Sequence, residues 1–486
     1  MYRKRHKEQM TVEDFITPLG GKLNANNRWV KMAKVMPWDL IEEIYAESFK
    51  SDNSEGRPPI TSRMAFGALY IKENENFPQE RTMQHISENV YMQYFLGLTE
   101  FTAEPLFDSS MLSRMAARFS KGDMDRINEE LYRRTHPPKD EPPGSTPPPG
   151  GGEPPVGGGG NKGKLILDAT AAPADIRYPT DLSLLNECRE GTEKIIDNIW
   201  DKTDRKGHKT AYNRKKARKG YLKIAKQRKP RRKQLKQAVR EQLECVEKNV
   251  DALEGILATI GLEDFGLQRW ARLLVIGEIA RQQRFHYDNP SEPVPNRIVS
   301  VRQPHVRPIV RGKAGSEVEF GQKMSLSIVD GFTFIEEQGW NNFSEGVTLI
   351  ASVEKYRKRH GVYPEAVLAD KTYRNRENLD YCKKHGIRLS GPRLGRPKKS
   401  EVDADRNQAY VDSCERNMVE GRIGIGKQRY GLDLITARLT ITGELEAAMN
   451  VLCMNVAHVL RRFMHSLFRR MIWQHPGVFF ALGIVS

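Results

Sequence analysis

The sequence predicts an α/β protein: a mixed five-stranded sheet with helices, interrupted by a helical insertion and preceded by an all-α domain. Three observations carry this. Two short apolar runs, Lys164-Leu-Ile-Leu-Asp168-Ala-Thr170 and Glu365-Ala-Val-Leu-Ala-Asp370, have the length and composition of buried strands. Between them, apolar residues spaced by three and four from Leu235 to Ile260 mark a long amphipathic helix. Helical spacing also fills residues 37–134, which a Pro/Gly-rich stretch separates from the rest.

Residues 1–135 form the helical domain. Pro37-Trp38-Asp39 opens one helix and Pro59-Ile60-Thr61 a second, with Met64, Leu69 and Ile71 as apolar positions. A third runs from Glu80 to Leu96. Asp108-Ser109-Ser110 supplies an N-cap for Met111 to Phe119. The last two helices, joined by Gly97 to Phe107, could make a helix-turn-helix-like unit that binds a DNA end, although this connection exceeds the standard turn. A dimerisation or packing module fits the same pattern. Residues 136–163, HPPKDEPPGSTPPPGGGEPPVGGGGNKG, have almost no apolar content and cannot bury a core, so they read as a linker holding the helical module at a distance.

The core occupies residues 164–180 and 296–440. After Asp168, Ala174-Asp-Ile-Arg-Tyr178 reads as a second strand, reached through a turn at Pro173. Residues 181–295 are the insertion. Pro179-Thr180-Asp181 caps a helix carrying Leu185, Ile195, Ile196 and Ile199. From Arg205 through Arg240 there are seventeen Lys and Arg and no Asp or Glu, with Lys215, Lys219, Lys223 and Lys226 on one helical face. Like-charge blocks often stay solvated as tails. This one runs into the apolar stripe that starts at Leu235, so it reads as a packed helix offering a cationic face to phosphates. A helix from Leu267 to Arg281 folds back on it, with Pro230 and Gly261 to Gly266 as the breaks.

Strands return at Ile298–Val301, Val318–Phe320, Met324–Val329 and Phe332–Ile335. Asp330-Gly331 makes a hairpin turn there, and Asp330 is set aside as a catalytic acid for that reason. Arg307, Arg311 and Lys313 are candidates for DNA backbone contacts. A helix follows at Ser344–His360, then the strand ending at Asp370, a helix at Arg376–His385 and a strand at Ile387–Ser390. Residues 391–403 form a basic loop. A helix from about Ala404 to Arg422 carries Arg416 and Glu420, and glycines 421, 424 and 426 weaken its end. Leu432 to Ile441 alternates like a strand or links to the last helix, which fills residues 441–486 and packs on the core or on a second subunit.

The chain has 486 residues, with 78 Lys and Arg against 62 Asp and Glu, a net charge of +16. That balance points to a polyanionic partner, double-stranded DNA before membrane. Cys188, Cys245, Cys382, Cys414 and Cys453 are scattered, without CxxC spacing, which excludes a zinc or disulfide framework and fits a reducing cytoplasm. No apolar stretch follows the basic start MYRKRHKEQM, so it does not read as a signal peptide, and no apolar run is long enough to cross a bilayer.

Strand, strand, strand, helix, strand, helix, strand, helix is the order of an RNase H-like core, here with its insertion after the second strand. In that layout Asp168, Asp370 and Glu420 stand on three separate elements. Carboxylate oxygens suit Mg²⁺. Two ions about 4 Å apart can activate a water and stabilise the leaving 3′ oxygen of a phosphodiester.

The stretches LILDATAAPADIRYPTDLSLLNE, RPIVRGK, EFGQK, VLADKTYRNRENLDYCKKHGIRLSGPRLGRPKK and RNMVEGRIGIGKQRYGL resemble those of DDE-type insertion-sequence transposases, in particular the bacterial insertion sequence 5 and 1182 groups. Positions 60 to 120 also resemble the N-terminal domain of those transposases. The family pattern around its third acid is Tyr, two residues, Arg, three residues, Glu, six residues, Lys. Arg416, Glu420 and Lys427 match it, while Ser413 stands in the Tyr position and Thr372 where Gly is common. The resemblance implies that Asp168, Asp370 and Glu420 are catalytic and hold two Mg²⁺ ions, with Mn²⁺ able to substitute. It implies that Arg416 and Lys427 contact DNA near the cut, and Lys371 and Tyr373 are grouped with them. A bacterial, cytoplasmic, nucleoid-associated enzyme working as a homodimer or larger synaptic complex is expected. A surface Arg416–Glu420 ion pair is the bland alternative at that site. A catalytically silent DNA-binding derivative and an RNase H-like nuclease without strand transfer are the alternative functions.

Overall fold

The computed structural model describes residues 11–18, 20–49, 60–136, 160–203, 208–313, 316–391 and 402–474, and their side chains except those of 311–317, 402–405 and 463–474. Most of the Pro/Gly stretch (137–159), most of the basic loop (392–401) and the tail after Gln474 lie outside the described residues. Two units separate by their contacts. The first is Met1–Pro173, Lys323–Gly339 and Phe343–Ser486; the second is Ala174–Gln322 and Trp340–Asn342.

Among the described residues, seven helices open the first unit: α1 (Arg28–Val35), α2 (Trp38–Glu47), α3 (Ser62–Glu75), α4 (Gln79–Glu88), α5 (Val90–Phe95), α6 (Met111–Ala116) and α7 (Lys121–Thr135). Asn27, Thr61 and Ser120 start three of them by accepting a first-turn N–H, and Ser120 and Asp123 form a reciprocal capping box. The helices bury an aromatic core that includes Trp29, Phe66, Tyr70, Phe95 and Phe119. The helix-turn-helix expectation fails on length. α5 and α6 have six residues each, and α6 spends its apolar side, Leu112 and Met115, on the core.

The strand β1 (Lys164–Pro173) carries the run Leu165, Ile166 and Leu167, all buried, as a central strand covered on both faces should. In the second unit, α8 (Asp181–Ile199) begins at a Thr180–Ser183 capping box and is followed by α9 (Arg214–Ala225), α10 (Arg232–Phe265) and α11 (Leu267–Asp288). α10 bends at Gly261 and stops at Gly266, where φ is 76° and 87°. Together α8, α10 and α11 bury Leu185, Cys188, Leu243, Val246, Ile276 and Ile279.

Two expected strands are absent from this unit. The Ile176 N–H turns back onto Ala174 O at 2.8 Å, which ends the strand conformation before Tyr178. Ala174 and Val299 bury themselves in a small cluster with Val306 and Trp340, so Ile298–Val301 is packed without being a strand. The insertion therefore follows the first strand, not the second.

The remaining strands are β2 (Arg307–Lys313), β3 (Ser316–Val329), β4 (Phe332–Gly339), β5 (Ala366–Leu368) and β6 (Arg388–Leu389). The mixed five-stranded sheet runs β4-β3-β1-β5-β6, and β2 adds a sixth strand by pairing with the early half of β3. β1–β5 and β5–β6 are parallel; β3–β4 is an antiparallel hairpin. Its turn has φ of 50° at Asp330 and 82° at Gly331, the two left-handed residues that an Asp-Gly hairpin supplies. α12 (Leu349–His360) and α13 (Arg376–Lys384) connect the later strands, and α14 (Val402–Arg429) and α15 (Thr440–Gln474) complete the fold. The segment from Leu432 to Ile441 is a link, not a strand; one bond, Ile435 N–H to Pro173 O at 2.7 Å, holds it to β1.

α15 packs on α1, α3, α7 and β4. Asn455 Nδ2 donates to Asn128 Oδ1 on α7 and to Thr333 O on β4, both at 2.7 Å, inside the core. The N-terminal helices are thus built into the same unit as the sheet. A module held away from the core by a linker is not what the chain makes.

Candidate active site

Alternation along the strands assembles the site. In β1, Ile166 and Asp168 point to one face; in β5 and just beyond it, Ala366, Leu368 and Asp370 do the same. Ile166, Ala366 and Leu368 form an apolar cluster with Ile328, and Val419 of α14 packs onto it, flanked by Ile423. The helix therefore lies over this face, and Arg416, one turn before Val419, reaches the Asp370 carboxylate at its rim, while Glu420 follows Val419 directly.

Two ion pairs fix the helix there. Lys164 Nζ, at the start of β1, is 2.7 Å from Glu415, and Arg388 of β6 reaches Asp412 at 2.9 Å. Glu415 is thus held by Lys164 and not turned to the acids. α14 also continues through Gly421, Gly424 and Gly426 to Arg429, so Arg416, Glu420 and Lys427 share one helical face. At Gly426 the small residue is needed: an added Cβ would meet Leu432 Cδ1 at 2.7 Å and Met454 Sδ at 3.0 Å.

Asp168 is half-buried, and its Oδ1 accepts the Ala169 N–H at 2.8 Å. Burial pushes its carboxyl above the ordinary range; the Ala169 N–H and Arg416 pull it back, and Glu345 and Glu420 push it up again. Asp370 Oδ1 accepts the N–H of Lys371 at 2.6 Å, and Arg416 Nη1 stands 3.8 Å away. Arg416 therefore pairs with Asp370, not with Glu420, and its charge also acts on Asp168. Its Nε–H is buried with no partner, a donor left open inside the site. Glu420 is exposed.

This donor set has the chemistry that a hard divalent cation takes: carboxylate oxygens, one of them destabilised by burial and by neighbouring acids. Among the described residues, however, no three His, Cys, Asp or Glu side chains are grouped closely enough to hold an ion by themselves. Mg²⁺ commonly takes one or two carboxylates and fills its shell with waters and substrate phosphates, so a closed protein cage is not required.

The other sequence candidates divide. Lys371 is exposed on the turn after Asp370, and Lys427 lies half-buried near the end of α14. Lys215, Lys219 and Lys223 are exposed on α9, opposite its buried Tyr221 and Ile224. Tyr373 is a correction. It is fully buried beneath the Asp370 turn and supports that turn from inside, out of reach of DNA. Arg307 also has another job, since its guanidinium donates to Pro304 O at 2.5 Å and Val306 O at 3.1 Å. The side chains of Arg311 and Lys313 lie outside the described residues. Sequence reading passed over Glu345, a lone acid in a turn, which only the fold brings beside Asp168.

Residues 367–457 match the model of the transposase DDE domain family, and residues 18–118 match that of a transposase domain family (DUF772). No curated protein and no solved structure matches the chain. Among the described residues, no helix is long and apolar enough to cross a membrane. The DDE match covers Asp370, Arg416, Glu420 and Lys427 and implies an RNase H-like fold. By these two matches the chain carries the domains of a transposase, with DNA transposition as the activity they imply.

Proposed function

We propose that this protein is a DNA transposase of the insertion sequence 5 and 1182 type. It binds the terminal inverted repeats of its element, hydrolyses phosphodiester bonds there to free 3′-OH ends, and joins these to target DNA. The observation that carries the reading is Arg416 of α14 paired to Asp370 at 3.8 Å, with Val419 of the same helix packed on the apolar face of β1 and β5 that leads to Asp168 and Asp370.

Asp168, Asp370 and Glu420 would hold Mg²⁺, or Mn²⁺ in its stead, which when bound supplies an activated water and stabilises the leaving 3′ oxygen. In the free protein, Arg416 offsets the charge of the acids, and its part-exposed guanidinium suits a phosphate oxygen. Lys371 and Lys427 follow the same acids in sequence and suit contacts to the strand being cut. Lys215, Lys219 and Lys223 suit contacts to phosphates elsewhere on the duplex, which fix position without reading sequence. Two ends must be brought together for transposition, so a homodimer or larger synaptic complex in the bacterial cytoplasm is part of the proposal.

The test uses a labelled DNA end carrying the inverted repeat. Mg²⁺-dependent release of a 3′-OH is expected, followed by strand-transfer products when a precut end is supplied. Cleavage without transfer would make the protein a nuclease of the same fold; binding without either would make it a silent DNA-binding derivative.

A further inference from the structure

The stretch Glu319-Phe-Gly-Gln-Lys323 has no role in the reading above. Its last residue, Lys323, has a side chain only 11% exposed. A buried ammonium is costly without partners. This one donates to Phe343 O at 2.9 Å and stands 3.1 Å from Glu345 Oε1. The other carboxylate oxygen, Glu345 Oε2, accepts from Thr372 Oγ1 at 3.4 Å, two residues past Asp370.

The turn carrying Glu345 is locked to the turn carrying Asp370. An added Cβ at Gly346 would meet the Thr372 carbonyl oxygen at 2.8 Å, so the two backbones touch. Asn378, itself buried, donates to Gly346 O at 2.7 Å and to Tyr373 O at 2.8 Å. Thr348 Oγ1 donates to Glu345 O at 2.8 Å and lies 3.1 Å from Ser325 Oγ on β3. Tyr373 is fully buried beneath the Asp370 turn.

We infer that Glu345 is a fourth carboxylate of this face: a positioning residue that fixes the Asp370 turn through Thr372 and adds negative charge for a divalent cation, with Lys323 as its counter-ion. The inference rests on the metal-binding reading of Asp168, Asp370 and Glu420. In the metal-free protein Lys323 offsets the repulsion that a fourth acid would add. Residues that orient metal ligands from outside typically change metal affinity by about 10–100-fold.

Mn²⁺ binding to the full chain, followed by the electron paramagnetic resonance signal of the free ion, tests this without reference to cleavage. Glu345→Gln keeps an acceptor for Thr372 and removes the charge; about 10-fold weaker binding is expected, together with a lower Tm because Lys323 loses its counter-ion. Lys323→Met leaves the Glu345 charge unopposed and should tighten binding, whereas a merely structural pair would give weaker or unchanged binding. Unchanged affinity in Glu345→Gln, or no tightening in Lys323→Met, overturns the inference if Asp168→Asn still abolishes binding. Unchanged affinity in Asp168→Asn overturns instead the site reading beneath it.

Discussion

Arg416 Nη1 stands 3.8 Å from the Asp370 carboxylate, one helical turn before Glu420. The contact links a helix late in the chain to a turn at the end of a central strand. It depends on Val419 lying on the apolar face that Ile166 and Leu368 make. Packing, more than pairing, brings these charges together.

Asp168 stores an electrostatic cost that metal binding would relieve. Burial raises its carboxyl above the ordinary value, so the folded metal-free state binds a proton more tightly than the unfolded chain does. Stability then falls as pH rises from the ordinary aspartate pKa through the raised one. Asp168→Asn should melt at a higher temperature than wild type at pH 7 in EDTA, with the difference shrinking as pH drops below the ordinary aspartate pKa. A lower Tm at pH 7 would contradict this.

The glycines of α14 should behave differently from one another. Nothing lies within 4 Å of an added Cβ at Gly424, while Gly426 has Leu432 and Met454 against it. Gly424→Ala should stabilise by about 0.5–1 kcal/mol through helix propensity. Gly426→Ala should cost about 1–3 kcal/mol through overpacking despite the same propensity gain. Urea denaturation of the two variants decides, and equal effects would refute the close approach.

Asn455 ties the N-terminal helices to the sheet. Its side chain is fully buried and bonds Asn128 and Thr333. Asn455→Ala leaves those groups unpaired and should cost about 1–3 kcal/mol or more. Fluorescence from Trp29 and Trp38, in the N-terminal helices, should shift midpoint together with far-UV circular dichroism. Separate transitions would mean that the helices form an independent module.

The cationic face of α9 should act on all DNA alike. Replacing Lys215, Lys219 and Lys223 with Ala should weaken binding to any duplex and reduce the slope of log K against log salt by about 0.9 per lost phosphate contact. Binding and slope unchanged from wild type would make that face a solvated surface only.

How much of this was legible in the sequence follows from the range of the forces involved. The strand that carries Asp168 and the one that leads to Asp370 could be read, because a buried central strand is a continuous apolar run. The Asp330-Gly331 hairpin and the Thr180 cap could be read from local chemistry. Ala174–Tyr178 and Ile298–Val301 look like strands because they hold apolar residues, but Ala174 and Val299 are buried beside Trp340 and Val301 against the helices of the second unit, and neither stretch is a strand. Tyr373 follows an acid as a DNA contact might, yet its burial depends on packing that no local pattern encodes. Glu345 had no signal of its own, since its neighbours Lys323 and Thr372 come from other elements.

The most direct test of the central claim is single-turnover cleavage of a labelled inverted-repeat end in Mg²⁺ by wild type and by Glu420→Gln. Glu420 is exposed, so its replacement should leave the fold and the binding of the end intact. The account predicts a loss of more than about 100-fold in the cleavage rate, the scale of removing one preorganised stabiliser of the transition state. Cleavage within a few-fold of wild type, with binding unchanged, would contradict it.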